Sequence, residues 1–312
     1  MNPMRVILNP AAGHGNGDRL APTLEAALKR QGLAYDLVRT ERSGHAIELA
    51  SQAAREGVAL IVAAGGDGTI NEVVNGLMRS QAAGGPLPAL GVLCAGRGND
   101  FAGSVGIPVD LDQAAALLKT GQSRPIDIGR VTAERCPEGR YFINAVGVGF
   151  DAVATIEVAK LPRWGGFMSF MIAIFKTIFL YNRAPLATIT YAGQTLQQRS
   201  LMISIMNGRR LGDGFLMAPD SLPDDGQLDL CIAEQMGSFQ IIRLIPHFMH
   251  GTQASQKKIR TGRAAAVTIS ALDGPLPAHT DGEIISIEGR NLSVELLPRH
   301  LSVIYPNPGR PA

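Results

Sequence analysis

Apolar residues recur in two different rhythms along this chain. Through Lys119, short apolar runs alternate with segments of helical spacing. Arg5–Leu8, Tyr35–Arg39, Val58–Ala64 and Ala89–Leu93 read as strands; Leu20–Gln31, Ala46–Glu56, the stretch from Ile70 to Leu77 and Leu111–Lys119 read as helices. Runs that are apolar throughout suit strands covered on both faces, so this part predicts a doubly wound parallel α/β domain with ligands at the carboxyl ends of its strands. After a link at Gln122–Asp127 the rhythm changes. Tyr141–Val146, Leu186–Tyr191, Leu201–Met206, Leu228–Ala233, Ala265–Ser270, Ile284–Glu288 and Leu292–Leu297 are short, β-rich and separated by Gly, Pro and Asp turns, which predicts an antiparallel β-sandwich. Helical inserts at Phe167–Leu180 and Ser238–His250 interrupt it, and a last strand, Leu301–Tyr305, is expected to return to the first domain. The domains so predicted are 1–125, joined by 298–312, and 126–297.

One strand-to-helix junction carries candidate chemistry. Gly65-Gly66-Asp67-Gly68-Thr69 ends the third apolar run and opens a helix. Its glycines permit positive φ and close approach of a ligand to the backbone, and the amides at the start of a helix favour an anion such as phosphate. Asp67 would repel phosphate, so in a nucleotide site it would act through magnesium, water or a ribose hydroxyl. An ordinary glycine-rich turn is the other reading. The loop Asn9–Gly17 is a second glycine-rich junction, in which His14 is a candidate phosphate contact, and Cys94–Ala102 a third; neither the dinucleotide fingerprint nor the Gly-Lys-Ser/Thr of a P-loop occurs.

Composition narrows the field. With 312 residues, 46% hydrophobic and 18% charged, the chain is globular and long enough for two cores. A net charge of +2 is too mild to point to a dedicated nucleic-acid binder. Cys94, Cys136 and Cys231 are far apart and odd in number, which points to a reducing compartment and away from structural zinc. No signal peptide is visible before Val6-Ile7-Leu8, so a cytoplasmic protein is expected. The stretch Leu161–Tyr181 is apolar, but Arg163 and Lys176 bracket fewer than the roughly 20 residues a spanning helix needs, so it is expected to touch a membrane without crossing it.

Four strings in order resemble the diacylglycerol-kinase-like lipid kinases, a branch of the superfamily that also contains the NAD kinases. They are Gly65-Gly66-Asp67-Gly68-Thr69 with Asn71-Glu72, Gly98-Asn99-Asp100-Phe101-Ala102, Asn144 to Asp151, and Ala218-Pro219-Asp220 through Asp225-Gly226-Gln227-Leu228-Asp229. The resemblance covers nearly the whole chain. It implies phosphoryl transfer from ATP with magnesium to a lipid hydroxyl, a nucleotide site between the domains and an acceptor site in the all-β domain. By motif match the nucleotide falls to Asn9, Thr40, Gly65, Gly66, Asp67, Gly68, Thr69, Ile70, Asn71, Glu72, Arg97 and Asn99, and the catalytic roles to Glu283, Asp67 and Asp100. Asp281-Gly282-Glu283 resembles the family's terminal Asp-Gly-Glu motif, with Glu283 as general base; a hairpin turn with solvated acids is the plainer account. The loop Leu222-Pro223-Asp224-Asp225-Gly226-Gln227 resembles a structural magnesium site, with the Asp225 carboxylate and the Leu222 and Gln227 carbonyls as ligands, against an Asp-Asp-Gly hairpin that binds nothing.

Arg97 departs from the family pattern, in which a hydroxyl precedes Gly-Asn-Asp or Ala-Asn-Asp; its guanidinium could pair with phosphate or turn to solvent. In the apolar insert, Phe167, Phe170, Met171, Ile174, Phe175, Ile178 and Phe179 share one face, while Met168, Ile172 and Leu180 keep the other from being polar. Core packing, the wall of an acyl-chain pocket and a bilayer contact all fit, and Arg163, Lys176, Lys257, Lys258, Arg260 and Arg263 would attract anionic lipid. The expected protein is a cytoplasmic, peripherally membrane-associated, ATP- and magnesium-dependent kinase. Its acceptor is diacylglycerol, phosphatidylglycerol or a sphingoid or ceramide-type lipid, and a homodimer is left open. A soluble-substrate kinase of the NAD-kinase type and a catalytically silent regulator are the rivals.

Overall fold

A computed structural model describes residues 4–96, 98–161, 166–181, 183–212 and 214–306, without the side chains of 166 and 167. The chain divides into two compact units, Met1–Ile126 with Arg299–Ala312, and Asp127–Pro298. The first unit runs β1 (Met4–Leu8), α1 (Ala12–Arg30), β2 (Tyr35–Arg39), α2 (His45–Arg55), β3 (Leu60–Gly65), α3 (Asp67–Ala82), β4 (Ala89–Cys94), α4 (Asp100–Val105) and α5 (Leu111–Thr120). Strands β2, β1, β3 and β4 lie side by side in that order, all parallel. Alternate residues explain the two covers. Met4, Val6 and Leu8 of β1, with Val62 and Ala64 of β3, pack against Ala21, Leu24 and Leu28 of α1 and Leu111 and Leu118 of α5. Helices α2 and α3 lie against the sheet elsewhere, with Val73, Val74 and Leu77 fully buried. The residues 13–15 have left-handed φ and break α1 near its start, so the helical pattern legible from Leu20 begins earlier in the chain, after a kink.

The second unit contains β5 (Ser123–Ala133), which starts in the first, then β6 (Cys136–Phe142), β7 (Ala145–Gly149), α6 (Phe150–Lys160), α7 (Gly166–Leu180), β8 (Leu186–Tyr191) and β9 (Gln194–Met206). It continues through β10 (Arg210–Leu211), β11 (Phe215–Leu216), β12 (Leu228–Glu234), α8 (Ser238–His250), β13 (Ile259–Ala264), β14 (Ala266–Ala271), β15 (Ala278–Thr280), β16 (Glu283–Ser286) and β17 (Asn291–Ile304). The 13-residue β9 serves both layers of the sandwich. Its first half pairs with β8, and its second half lies between β7 and β12. Between the layers, Val146, Val148, Ile203, Ile205 and Leu230 meet Ile189, Val267, Ile269 and Val294. The outer face of β7, β9 and β12 is covered by α6, α7 and α8 through Phe150, Ala154, Ile174, Ile178, Ile241 and Leu244. The last strand, β17, pairs antiparallel with β14 and ends in the first unit, where Val303 pairs in parallel with Leu90. Leu292–Leu297 and Leu301–Tyr305, expected as two strands, belong to this one continuous strand up to Ile304.

Two sequence expectations change. Tyr141–Val146 is not one strand but the end of β6 and the start of β7, and α6, β5 and β13 were not foreseen. The apolar insert, α7, has two faces. Ala173, Ile174, Thr177 and Ile178 are buried, while Met168, Ile172, Phe175, Phe179 and Leu180 are exposed. Phe175 and Phe179, expected with the inward set, therefore belong to the outward stripe.

Candidate functional site

In the first unit the chain leaves β1 for β2 on one side and then returns to β3 on the other, so the strand order reverses between β1 and β3. Such a reversal opens a crevice at the carboxyl ends of the strands, the usual place for a ligand in an open α/β sheet. Asn9 follows β1 and Gly65–Thr69 ends β3, so both stand at that crevice. Asn9 Nδ2 donates to Thr69 Oγ1 at 2.9 Å, and Asn9 Oδ1 accepts the Ala11 amide at 3.0 Å. The two glycine turns after β3 and β4 touch backbone to backbone: a Cβ on Gly96 would lie 2.3 Å from Gly66 Cα. A Cβ on Gly68 would meet nothing within 4 Å, so the backbone is open there. No side chain caps α3, whose first amides from Thr69 and Ile70 turn back to the Gly66 carbonyl at 2.9 and 3.1 Å. An anion would be favoured at this helix start.

Asp67 has a structural role that its motif did not announce. Its Oδ2 and Oδ1 accept the backbone amides of Asp100 and Phe101, each at 3.0 Å, and so it caps α4 across the two turns. This ties the first and second motifs together and places a carboxylate at the positive end of a helix. Asn99 begins α4 with a left-handed φ of 50°, a conformation its short amide tolerates. Its Nδ2 donates to the Gly96 carbonyl at 3.3 Å, while its Oδ1 is buried without a hydrogen-bond partner. A buried acceptor left so is costly unless a ligand supplies a donor. Asp100 is 7% exposed, beside it. Burial and the charge of Asp67 push the Cys94 thiol up to about 12, so it is inert.

Three residues assigned to the nucleotide by motif turn into the protein instead. Ile70 and Asn71 are buried, and Asn75 Nδ2 donates to the Asn71 carbonyl and Oδ1 at 2.9 and 3.2 Å. Glu72 accepts the Gly44 and Ala46 amides at 2.8 and 3.1 Å, capping α2, which no side chain of its own loop caps. The helical period is the reason: only the first turn of α3 can face the crevice. The Thr40 amide donates to the Leu8 carbonyl at 2.9 Å, which sets it at the same strand ends. Arg97 lies outside the described residues.

In the second unit, Asp281-Gly282 is the tip of the β15–β16 hairpin, with φ of 45° and 87°. Positive φ at both central positions is the type I′ turn that Asp-Gly favours. The plainer account expects a hairpin with solvated acids; the hairpin is there, but Asp281 is buried. Asp281 is 7% exposed and accepts three amides, from Ile143 at 3.0 Å, Asn144 at 3.2 Å and Ala145 at 2.8 Å. This anchor explains the break between β6 and β7. Glu283, the next carboxylate, forms an ion pair with Arg140 at 2.5 Å and remains partly exposed.

The loop at 222–227 is clasped from below by Asp127, whose amide donates to the Pro223 carbonyl and whose Oδ2 accepts the Gly226 amide, both at 2.7 Å. Asp225 Oδ1 accepts the Gln227 amide at 3.0 Å, and its Oδ2 is paired with the Arg263 guanidinium, which also reaches Asp229 at 3.2 Å. A guanidinium thus stands on the one carboxylate proposed for a cation. Among the described residues no three His, Cys, Asp or Glu side chains converge as a metal cluster. The roles of Arg140 and Asp127 carry no sequence signal, Asp281 was marked only as part of an Asp-Gly turn, and Arg263, expected to attract anionic lipid, is instead paired with Asp225 and Asp229; each acts on a partner that no local pattern names.

With this geometry in view, comparison with known proteins is decisive. Residues 3–131 match the diacylglycerol kinase catalytic domain, and residues 144–305 match the YegS C-terminal NAD kinase beta sandwich-like domain. A diacylglycerol kinase of Bacillus subtilis (strain 168) is 31% identical over 98% of this chain and 97% of its own length. The chain belongs to the diacylglycerol kinase family of lipid kinases. A "Probable lipid kinase YegS" of Escherichia fergusonii is 34% identical over 89% of each chain. A Bacillus anthracis (str. Sterne) crystal structure, described as that of a proposed diacylglycerol kinase, covers 98% of this chain and 97% of its own at a TM-score of 0.75 and 27% identity. As a member of this family the protein is a phosphotransferase with ATP as its donor, and the two-unit fold is the family's. Among the described residues no helix is long and apolar enough to cross a membrane.

Proposed function

We propose that this kinase transfers the γ-phosphoryl group of ATP to the hydroxyl of a membrane lipid, diacylglycerol first among the candidates, with phosphatidylglycerol and sphingoid or ceramide-type lipids sharing the same chemistry. The observation that carries the phosphate half of this reading is the backbone-to-backbone meeting of the Gly66 and Gly96 turns after β3 and β4, next to the reversal of strand order between β1 and β3. Backbone amides and a helix start can hold the phosphates there, and the buried Asn99 Oδ1 can accept a hydrogen bond from the nucleotide. In the transfer, an O–P bond forms to the acceptor oxygen as the β–γ bridging bond breaks and ADP leaves; the acceptor's proton passes to Glu283. Arg140 orients that carboxylate through their ion pair at 2.5 Å.

Magnesium enters this reading with ATP, as part of the substrate, where it screens the phosphate charge. A resident ion at Asp225 does not fit the loop: its carboxylate is already neutralised by Arg263, and no step runs through such a site.

Action at a membrane surface is supported by where the apolar exposure lies. Among the described residues, the exposed large hydrophobics other than Val109 and Leu272 all sit on α7 and α8: Met168, Ile172, Phe175, Phe179 and Leu180 on one, Phe239, Ile242 and Met249 on the other. The two helices are neighbours, and Arg243 lies 4.5 Å from the centre of the Phe239 ring. Arranged this way, apolar side chains beside a cation suit an interface of acyl chains and anionic headgroups. Lys176, expected to face lipid, is instead paired with Glu157 at 2.5 Å. Each ring buried in lipid contributes about 1.5–3 kcal/mol. Phe175→Asp with Phe179→Asp should therefore remove at least about nine-tenths of co-sedimentation with anionic vesicles, and unchanged binding would end the docking role of α7.

Radiolabelled ATP supplied with a lipid extract and NAD tests the main reading. A labelled lipid formed by the wild type and absent with Glu283→Gln is expected. Labelled NAD would select a soluble-substrate kinase, and no product at all a silent regulator. For the phosphate site, Gly96→Ala inserts a methyl group where 2.3 Å separates it from Gly66 Cα. Overpacking of this kind costs about 1–3 kcal/mol. ATP affinity by calorimetric titration should fall about tenfold, and an unchanged Kd would mean that the paired turns do not hold the nucleotide.

A further inference from the structure

The second unit buries a titratable pair that the phosphoryl-transfer reading does not use. Asp151, in the first turn of α6, is 8% exposed and His279, in β15, is 2% exposed. Asp151 Oδ2 lies 4.0 Å from His279 Nε2. The space they share exists because Gly147 of β7 has no side chain: a Cβ there would come within 2.3 Å of Asp151 Oδ2 and 2.4 Å of His279 Nε2. Gly147 is also the register partner of His279, so the pair is built into the strand pairing itself.

Each member is tied to a further element. Asp151 Oδ1 accepts the Ala152 amide at 2.8 Å, and Ser204 Oγ of β9 donates to Oδ2 at 3.3 Å. His279 Nδ1 accepts the Gly282 amide at 3.3 Å, inside the turn that immediately precedes Glu283. With Nδ1 accepting, the neutral ring carries its proton on Nε2, the nitrogen that faces Asp151 and has no hydrogen-bond partner of its own. At 4.0 Å the two atoms are a short rotation from a hydrogen bond rather than in one.

We propose that Asp151 and His279 are positioning residues for Glu283, with ionised Asp151 drawing Nε2–H toward itself and so holding Nδ1 on the Gly282 amide. The inference rests on the reading of Glu283 as the group that takes the acceptor's proton. A tightened turn fixes the Glu283 backbone, while Arg140 fixes its carboxylate. The pair is sensitive to pH. Burial pushes the Asp151 carboxyl up to about 7 and the His279 imidazole down to about 4. Between those values both are neutral and the attraction is weak; above about 7 a carboxylate faces a neutral Nε2–H and the latch closes. The other titratable groups facing Asp151 do not change charge in this window. Burial, reinforced by the Asp151 charge, pushes the Tyr181 phenol above its ordinary value and the Cys231 thiol up to about 12. Asp281, beside His279 in the chain, has its carboxylate on the three amides described above.

The test is the pH dependence of kcat at saturating ATP and diacylglycerol micelles, for wild type, Asp151→Asn, His279→Asn and His279→Gln, with Glu283→Gln alongside. The wild-type profile should rise through an apparent pKa near 7. Asp151→Asn should lose that limb and about tenfold in kcat above it, with KM for ATP within about twofold. His279→Asn, which keeps an acceptor near the place of Nδ1, should retain several times the activity of His279→Gln. A limb intact in Asp151→Asn, or equal losses in the two His279 variants, overturns the proposal. Nitrogen-15 NMR of the wild type decides it without relying on a variant's folding: the Nε2–H tautomer at pH 8 is required, and an Nδ1–H tautomer overturns it. Full activity in Glu283→Gln sinks the general-base reading, whereas an inactive Glu283→Gln with an unaltered Asp151→Asn sinks the pair alone.

Discussion

Replacing Glu283 with Gln should lower kcat by about 100- to 10,000-fold, the range for loss of a positioned general base, while leaving KM for ATP nearly unchanged. The size of the effect follows from where the residue stands. Glu283 opens β16 directly after a turn locked by Asp281, and its carboxylate is held by Arg140 at 2.5 Å, so little disorder needs to be overcome before a proton is taken. The amide of Gln keeps the shape but can neither accept a proton at neutral pH nor balance the charge of the guanidinium. Thermal melting separates the alternatives. An unchanged melting curve with lost turnover assigns the defect to chemistry; a variant retaining more than about half of the wild-type kcat would falsify the assignment.

The largest stability effect is expected at Asp281, a residue that touches no substrate in this reading. Asp281→Ala leaves the buried amides of Ile143, Asn144 and Ala145 without their acceptor. Each unsatisfied buried donor costs about 1–3 kcal/mol, and water can enter beside some of them, so a net loss of roughly 3–5 kcal/mol is expected. For a unit of this size the melting midpoint should fall by roughly 10 °C. Asp281→Asn should fall between, because it keeps one oxygen for the Asn144 and Ala145 amides but turns an amide donor toward Ile143. A shift below about 2 °C in Asp281→Ala would mean that the three bonds are replaced by water at little cost.

Much of the fold was legible because its strands differ in how they are covered. The apolar runs Val58–Ala64 and Ala89–Leu93 mark strands buried on both faces, and both are strands of the parallel sheet. Helices α5, α7 and α8 appear where their spacing predicts them. What escaped has a common physical cause. Strand β13, Ile-Arg-Thr-Gly-Arg-Ala, pairs among the described residues only with β12 and carries exposed polar residues, so it has no buried stripe to display. Helix α6 buries Phe150, Asp151, Ala154 and Glu157 on one face, but two of these are acidic and Val153 and Ile156 lie off it, so hydrophobicity does not mark the buried stripe.

The candidate site divides in the same way. The sequence by itself determined the chemical types: glycine turns at the ends of two strands, the Asn-Asp string after the second, and an Asp-Gly-Glu hairpin, each a local pattern whose backbone demands can be read from residue type. Only the tertiary structure decided what the carboxylates do. Asp67 caps α4 rather than standing open for a metal, Glu72 caps α2, Asp225 is held by Arg263, and Asp281 anchors β7 from 136 residues away. A carboxylate's role depends on which amide or cation folding brings within 3 Å of it, and that partner lies far along the chain where no local pattern can name it.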